Sequence, residues 1–213
     1  LNTAVSNNFV GYQAGYANTT GNQNNFFGQR AAYNNSTGHN SVMIGNSAGY
    51  SNTSGSENNY IGDNSGYNNN GSFNVAIGNS AGSGSAGVNY SSAVIIGHYA
   101  GDNLSTGDGN ILIGYQAGYN ITTGTGNIII GNSTGPFQPS DSNVLNIGGR
   151  LFADLAQGAF GINSHLPGAG YEGPEGALDV VFTGTAANVY VQVWRNSNGV
   201  AVASITAMGQ FTT

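Results

Sequence analysis

Three copies of Gly-x-Ser-x-Gly stand in this chain, at Gly45–Gly49, Gly78–Gly82 and Gly131–Gly135. In a hydrolase this pattern holds a serine on a sharp strand-to-helix turn, near a histidine and an acid. Here the pattern recurs at a fixed spacing, and Gln13 and Gln116 replace the serine in sister copies. No helix is expected after any of them. Gly82-Ser83-Gly84-Ser85-Ala86-Gly87 matches a dinucleotide fingerprint, which needs a βαβ unit that the surrounding sequence lacks. His39, His98 and His165 share no metal-ligand spacing. Asp102 and Asp108 bracket a loop, but Ca²⁺ takes about six oxygens. The sequence therefore assigns no catalytic residue, no metal ligand and no cofactor.

The spacing that defeats these motifs is itself the main signal. Anchor glycines fall at Gly11, Gly28, Gly45, Gly62, Gly78, Gly97, Gly114, Gly131 and Gly148, in steps of 17, 17, 17, 16, 19, 17, 17 and 17 residues. A period in this range marks a solenoid. Immediately before each anchor stands an apolar ladder: Val10, Phe27, Ile44, Ile61, Ile77, Ile96, Ile113, Ile130 and Ile147. The residue three before the anchor is Val, Ile or Leu in six of the nine copies and shares a strand face with that ladder. The residue between them points to the other face and is also mostly apolar: Phe9, Phe26, Met43, Tyr60, Ala76, Ile95, Leu112, Ile129 and, last, Asn146. A strand apolar on both faces is covered on both. One coil encloses only one interior, so other copies of the chain are expected to cover the second face.

Small residues four and about ten positions after the anchor predict tight corners, by positive φ or close backbone approach. Each coil is thus expected to run strand, corner, short strand, corner, with an inserted loop in the 19-residue copy near Ser83 to Ala93. Nine coils stacked at about 4.8 Å would make a rod roughly 40 Å long. Tyr16, Tyr33, Tyr50, Tyr67 and Tyr119 recur five after the anchor, and suit either a subunit seam or stacking on sugar rings. The pairs Thr19-Thr20, Ser36-Thr37, Thr53-Ser54, Ser105-Thr106 and Thr122-Thr123 read as an ice-binding array or, more simply, as corner hydroxyls that satisfy the backbone.

Composition sets the outer bounds. Charged residues are 6% of the 213, and the net charge is −6. That balance argues against nucleic acid and against anionic membranes. No apolar run approaches the roughly 18 residues of a membrane span, and no signal peptide is visible. So polar and glycine-rich a chain would suit disorder, except that 38% of it is apolar and 10% aromatic, at fixed repeat positions. Cysteine is absent. The chain opens at Leu1 in mid-pattern, as expected of a processed product or fragment, with further coils upstream or head-to-tail stacking.

The pattern changes near Gly149. The expected organisation is a repeat solenoid over 1–148, a capping and loop-rich transition over 149–176, and a β-hairpin tip over 177–213. Gly158 to Gly176 holds six glycines and two prolines and is expected to be loop. Ala177 to Phe182, Asn188 to Arg195 and Val200 to Thr206 are predicted strands, with a hairpin turn at Asn198-Gly199. Receptor-recognition residues are expected in 158–176 or around Asn196 to Gly199.

Asn40-Ser41-Val42-Met43-Ile44-Gly45 and Asn74-Val75-Ala76-Ile77-Gly78 resemble the repeats of trimeric autotransporter adhesin heads, which form a left-handed parallel β-roll. Gly114-Tyr115-Gln116-Ala117-Gly118-Tyr119-Asn120-Ile121-Thr122-Thr123-Gly124 is similar to the repeats of phage tail fibres. Phe160-Gly161-Ile162-Asn163 and Ala177-Leu178-Asp179-Val180 resemble segments that often follow such repeats and lead into a self-cleaving chaperone. The unit here is longer than that of the adhesin heads, so the coil shape is expected to differ.

The expected fold is all-β: a parallel β-solenoid (β-roll) of about nine coils, intertwined or side by side as a homotrimer, with a small antiparallel tip. The expected role is that of a non-enzymatic tail fibre or spike, on a virion or otherwise extracellular. Its expected partners are its own copies and a host cell-surface glycan or protein, with no nucleic acid and no membrane insertion. A bacterial surface adhesin or filament subunit is the first alternative, and a glycan- or ice-binding solenoid the second.

Overall fold

The structure, a computed structural model, describes residues 3–85, 87, 89–136, 138–156, 159–162, 190–195, 201–206 and 211–212. The chain divides into two units, Leu1–Gly176 and Ala177–Thr213. The described residues are all-β, without a helix, and so hold no helix long and apolar enough to cross a membrane.

Unit 1 is a parallel β-solenoid. Strands β1 (Asn8–Val10), β2 (Asn25–Phe27), β3 (Val42–Ile44), β4 (Asn59–Ile61), β5 (Val75–Ile77), β6 (Val94–Ile96), β7 (Ile111–Ile113), β8 (Ile128–Ile130) and β9 (Val144–Ile147) pair in sequence order, all parallel. Their register is that of the repeat: Val10, Phe27, Ile44, Ile61 and their later counterparts stand one above another. The 16- and 19-residue steps are absorbed outside the strands.

The anchor glycine explains why no other residue occupies this corner. Gly45 has φ +137°, and a methyl group there would stand 2.5 Å from the carbonyl oxygen of Gly62 in the next coil. Stacking at strand spacing leaves no room for a side chain, and the backbone conformation is one that L-residues rarely adopt. The third glycine of the unit works by close approach alone: a methyl at Gly38 would meet the Gly55 carbonyl oxygen at 2.4 Å.

The expected short second strand is replaced by turns. Each coil has one three- or four-residue strand, and the segment after the anchor carries two left-handed residues, as at Ser47 (φ 55°) and Gly49 (φ 59°). Two such residues in three positions cannot be extended. The backbone still bonds from coil to coil, as in Gly49 N–H to Ser65 O at 2.9 Å and Ser51 N–H to Tyr67 O at 2.8 Å.

The middle residue of each strand fills the interior: Phe26, Met43, Tyr60, Ala76, Ile95, Leu112 and Ile129 are all buried. Ala31, Ala48, Ala81, Ala100 and Ala117 close the opposite wall. Interior amides tie the coils together. Asn24, Asn58, Asn74, Asn110 and Asn127, each four before an anchor, are fully buried. Asn58 Nδ2 donates to Gly71 O at 2.8 Å, while its Oδ1 accepts from Asn74 N–H at 3.0 Å. Asn127 repeats the pattern with Asp141 O and Val144 N–H. A second column holds Asn18, Asn35, Asn52 and Asn69, and turns apolar at Leu104 and Ile121.

The inserted loop of the 19-residue coil carries a residue inward. Tyr90 is fully buried, in the coil whose middle strand residue is Ala76. Its hydroxyl donates to Gly82 O at 2.5 Å, and its carbonyl accepts from Asn69 Nδ2 and Asn74 Nδ2. Burial raises the pKa of Tyr90 well above the usual phenol value, reinforced by Tyr60; burial also raises that of Tyr60, against hydrogen bonds from Asn69 and Asn74.

Past β9 the sheet changes direction. Gly148 and Gly149 have φ 61° and 65°, and β10 (Leu151–Asp154) returns antiparallel to β9. Strand β11 (Ala159–Ile162) then pairs antiparallel with β10, so a strand stands where the glycine and proline content predicted loop. Unit 2 holds β12 (Tyr190–Arg195), β13 (Ala201–Thr206) and the further β14 (Phe211–Thr212), in one antiparallel sheet. The predicted strand Ala177–Phe182 and the turn at Asn198-Gly199 lie outside the described residues, as does most of the expected recognition region 158–176.

Candidate functional site

The serines of the three Gly-x-Ser-x-Gly motifs occupy one corner of the coil. Ser47, Ser80 and Ser133 have φ of 50–55°, and their hydroxyls donate to the side-chain oxygens of Asn46, Asn79 and Asn132. Gln13, Arg30, Asn64, Tyr99 and Gln116 adopt the same conformation in sister coils. The geometry belongs to the coil and not to serine chemistry. In the second glycine motif, Gly87 (φ 84°) has open space around it, and Ala86 lies outside the described residues.

The titratable groups are dispersed. Among the described residues no group of three or more His, Cys, Asp or Glu side chains is placed to hold a metal. Asp102 accepts a short hydrogen bond from Ser83 Oγ, and Asp108 Oδ1 accepts from Ser91 N–H at 2.7 Å. His98 stacks on Tyr99, with ring centroids 4.1 Å apart, and tilts against Tyr115. His165 lies outside the described residues.

The hydroxyl array at the far corner faces its own backbone. Thr19 Oγ1 donates to Ser36 O, Ser36 Oγ to Thr53 O, and Ser105 Oγ to Thr122 O, at 2.9–3.1 Å. One hydroxyl of each of these pairs therefore serves the stack. At Asn70 the column changes chemistry: its Oδ1 accepts from the Thr53 and Ser54 amides.

The tyrosine column is a continuous stack in its first half. Tyr16, Tyr33, Tyr50 and Tyr67 lie face to face, with successive centroids 5.1 Å apart and planes within 7°. Each inner ring has both faces covered by its neighbours and presents its edge and hydroxyl outward. Ser83 and Asp102 then interrupt the column, and Tyr119 stands apart from it, half exposed.

The largest feature is the outer face of the parallel sheet. Phe27, Ile44, Ile61 and Ile77 are each 37–39% exposed, and Val10 58%. Beside them Val42, Val75, Val94, Ile111, Ile128 and Leu145 are half-buried and share the face. The face is about 40 Å long; its outer column is apolar at every level, and the column beside it is apolar at six levels and asparagine at Asn8, Asn25 and Asn59. An exposed apolar stripe of this length is a candidate interaction surface.

The residues that sequence reasoning missed are interior ones: Tyr90 and the two asparagine columns. The asparagine period was available as a signal, since Asn recurs four before the anchor in six coils. Tyr90 had none beyond its place in the long step.

The chain matches no family model, no curated protein and no solved structure.

Proposed function

We propose that this chain is a structural fibre segment, a homotrimer whose sheet faces meet around a common axis, serving as a phage tail fibre or spike that attaches to a host surface. The observation that carries this reading is the outer column from Val10 to Ile147. It is β-branched or aromatic at every level, it runs the length of the rod, and the interior does not use it. Covering it with two further copies removes apolar surface along the whole rod, the driving force for permanent association. The three-fold order follows the adhesin heads and tail fibres that the repeat resembles. A bacterial surface adhesin of the same architecture is the alternative, and genomic neighbours separate the two.

Light scattering on the purified chain tests the assembly. A species near three times 21.6 kDa supports the trimer. A monomer that stays soluble at high concentration overturns it, and an open-ended polymer points to a filament subunit.

A further inference from the structure

Tyr119, which stands apart from the stacked tyrosines, borders a cavity. In the coil after Tyr119 the equivalent position is Pro136, which cannot continue the stack of rings. A cavity of about 280 Å³ opens there, lined by Gln116, Tyr119, Asn120, Ser133, Thr134 and Pro136. Its position in the coil is past the anchor corner, on a different side from the apolar sheet face.

The lining has a consistent chemistry. Every polar group in it is an uncharged amide or hydroxyl. Asn120 Nδ2 donates to Pro136 O at 2.8 Å, which fixes the amide and leaves its Oδ1 and second N–H. The Gln116 side-chain amide lies beside Ser133, with Oε1 3.2 Å from Ser133 Oγ, and its N–H₂ can donate into the cavity. Thr134 Oγ1 is buried without a hydrogen-bond partner. At the same place two turns of the repeat earlier than Ala100, Ser65 Oγ donates to Gly62 O at 2.9 Å, so the unpaired hydroxyl is peculiar to the Thr134 coil.

We infer that this cavity is a binding site for one neutral hexose ring, with Tyr119 as the apolar platform and Gln116 and Asn120 as partners for sugar hydroxyls. An aromatic face beside fixed amides and hydroxyls matches a pyranose, which has an apolar C–H face and a rim of hydroxyls. The volume lies just below the roughly 300 Å³ at which drug-sized pockets begin, which suits a single ring of a longer glycan. An anionic sugar would meet no cation in the lining and a chain of net charge −6. The inner rings of the Tyr16–Tyr67 stack cannot serve in this way, because their faces are taken.

The inference rests on the attachment half of the proposed function and not on its trimeric half. Light scattering reads the second, and sugar titration reads the first. The test is ligand-observed NMR on the full chain with methyl glucoside, galactoside and mannoside, and sialyllactose as the charged control. At least one neutral hexoside should saturate, and Tyr119→Ala should weaken it roughly tenfold while Tyr50→Ala does not. Gln116→Asn is the second variant: it keeps a residue that tolerates the left-handed corner, shortens the amide, and should also weaken binding. The inference is overturned if no neutral hexoside saturates, if only sialyllactose does, or if binding survives in both Tyr119→Ala and Gln116→Asn.

Discussion

Replacing Ile61 by Asp separates the fold of one coil from the assembly of the fibre. Ile61 lies at the centre of the outer column, between Ile44 and Ile77 in register. Its side chain points away from the interior, so the cost to a single chain is the part of its burial already made against the neighbouring coils, about 1–2 kcal/mol, together with the weak strand propensity of Asp, about 1 kcal/mol. Assembly is another matter. Fully burying an isoleucine stabilises by about 1.5–3 kcal/mol. Ile61 is 39% exposed in one chain, so covering it contributes about 0.6–1.2 kcal/mol per chain. Over three chains the loss is about 2–3.5 kcal/mol, or about twenty- to four-hundredfold in the assembly constant. Three carboxylates brought together without a cation add several kcal/mol more. Ile61→Asp should therefore give a monomer with the circular dichroism of the parent chain, and Ile61→Thr, which keeps the branching, should give an intermediate case. Light scattering over a dilution series reads the result. A trimer of unchanged mass and dilution behaviour in Ile61→Asp would refute the assignment of this face as the seam.

Gly45→Ala should destabilise each chain by at least about 2 kcal/mol in a denaturant titration, because its methyl meets the Gly62 carbonyl oxygen and its φ is +137°. Tyr60 and Tyr90 have folded pKa values raised above the usual phenol value of 10.0, by burial. The sign follows: the folded state holds these protons more tightly, so their contribution is intact below pH 10 and is lost as pH rises above it. The phenolate absorbance of these two residues, isolated by difference from Tyr60→Phe/Tyr90→Phe, should appear together with loss of the β signal; its appearance in a folded chain would contradict their burial. Hydrogen exchange should be slower in the coils of Ile95 and Leu112 than in those of Phe9 to Met43. The first group packs Leu104 and Ile121 inside, whereas Asn52 keeps an unpaired buried Oδ1 and Phe9 is partly exposed at the end of the stack.

Much of this architecture is legible in the sequence because a solenoid repeats its physics. The anchor glycine is required at every level by the same close approach, so its period reports the coil directly. The strands before it follow from the same alignment, and all nine form. The assignment of inside and outside was not legible, since both faces are apolar. The structure resolves it by size. The middle strand position ranges from Ala76 to Tyr60, as neighbouring interior residues compensate, while the outer column stays nearly constant. The second segment reads as strand in the sequence because its left-handed corners carry Gln13, Arg30 and Tyr99, which send no turn signal. Their conformation is imposed by stacking, where bonds such as Arg30 N–H to Tyr12 O, at 2.8 Å, hold each corner on the one before it. The cavity beside Tyr119 is equally hidden: its lining residues, Gln116 to Asn120 and Ser133 to Pro136, come from two coils whose contact the sequence does not mark.

The division between interior and exterior bears on why such a chain would carry its isoleucines outward. A 17-residue coil is narrow: the strand contributes one interior residue per level and the opposite wall is closed by small ones such as Ala48 and Ala100. Stability within a chain must then come largely from repetition: backbone bonds between coils, buried amides that bond from level to level, and stacked rings. Each such bond contributes about 1 kcal/mol net, but they recur at every level and add along the rod. The outward Ile and Val residues add only part of what full burial would give, because in a single chain they remain partly wet. Polar β-branched residues such as threonine would serve the strand equally well there. An apolar column kept from β1 to β9 on the wet side is a feature that the fold of one chain does not require, and its cover by further copies of the same chain gives it a physical reason.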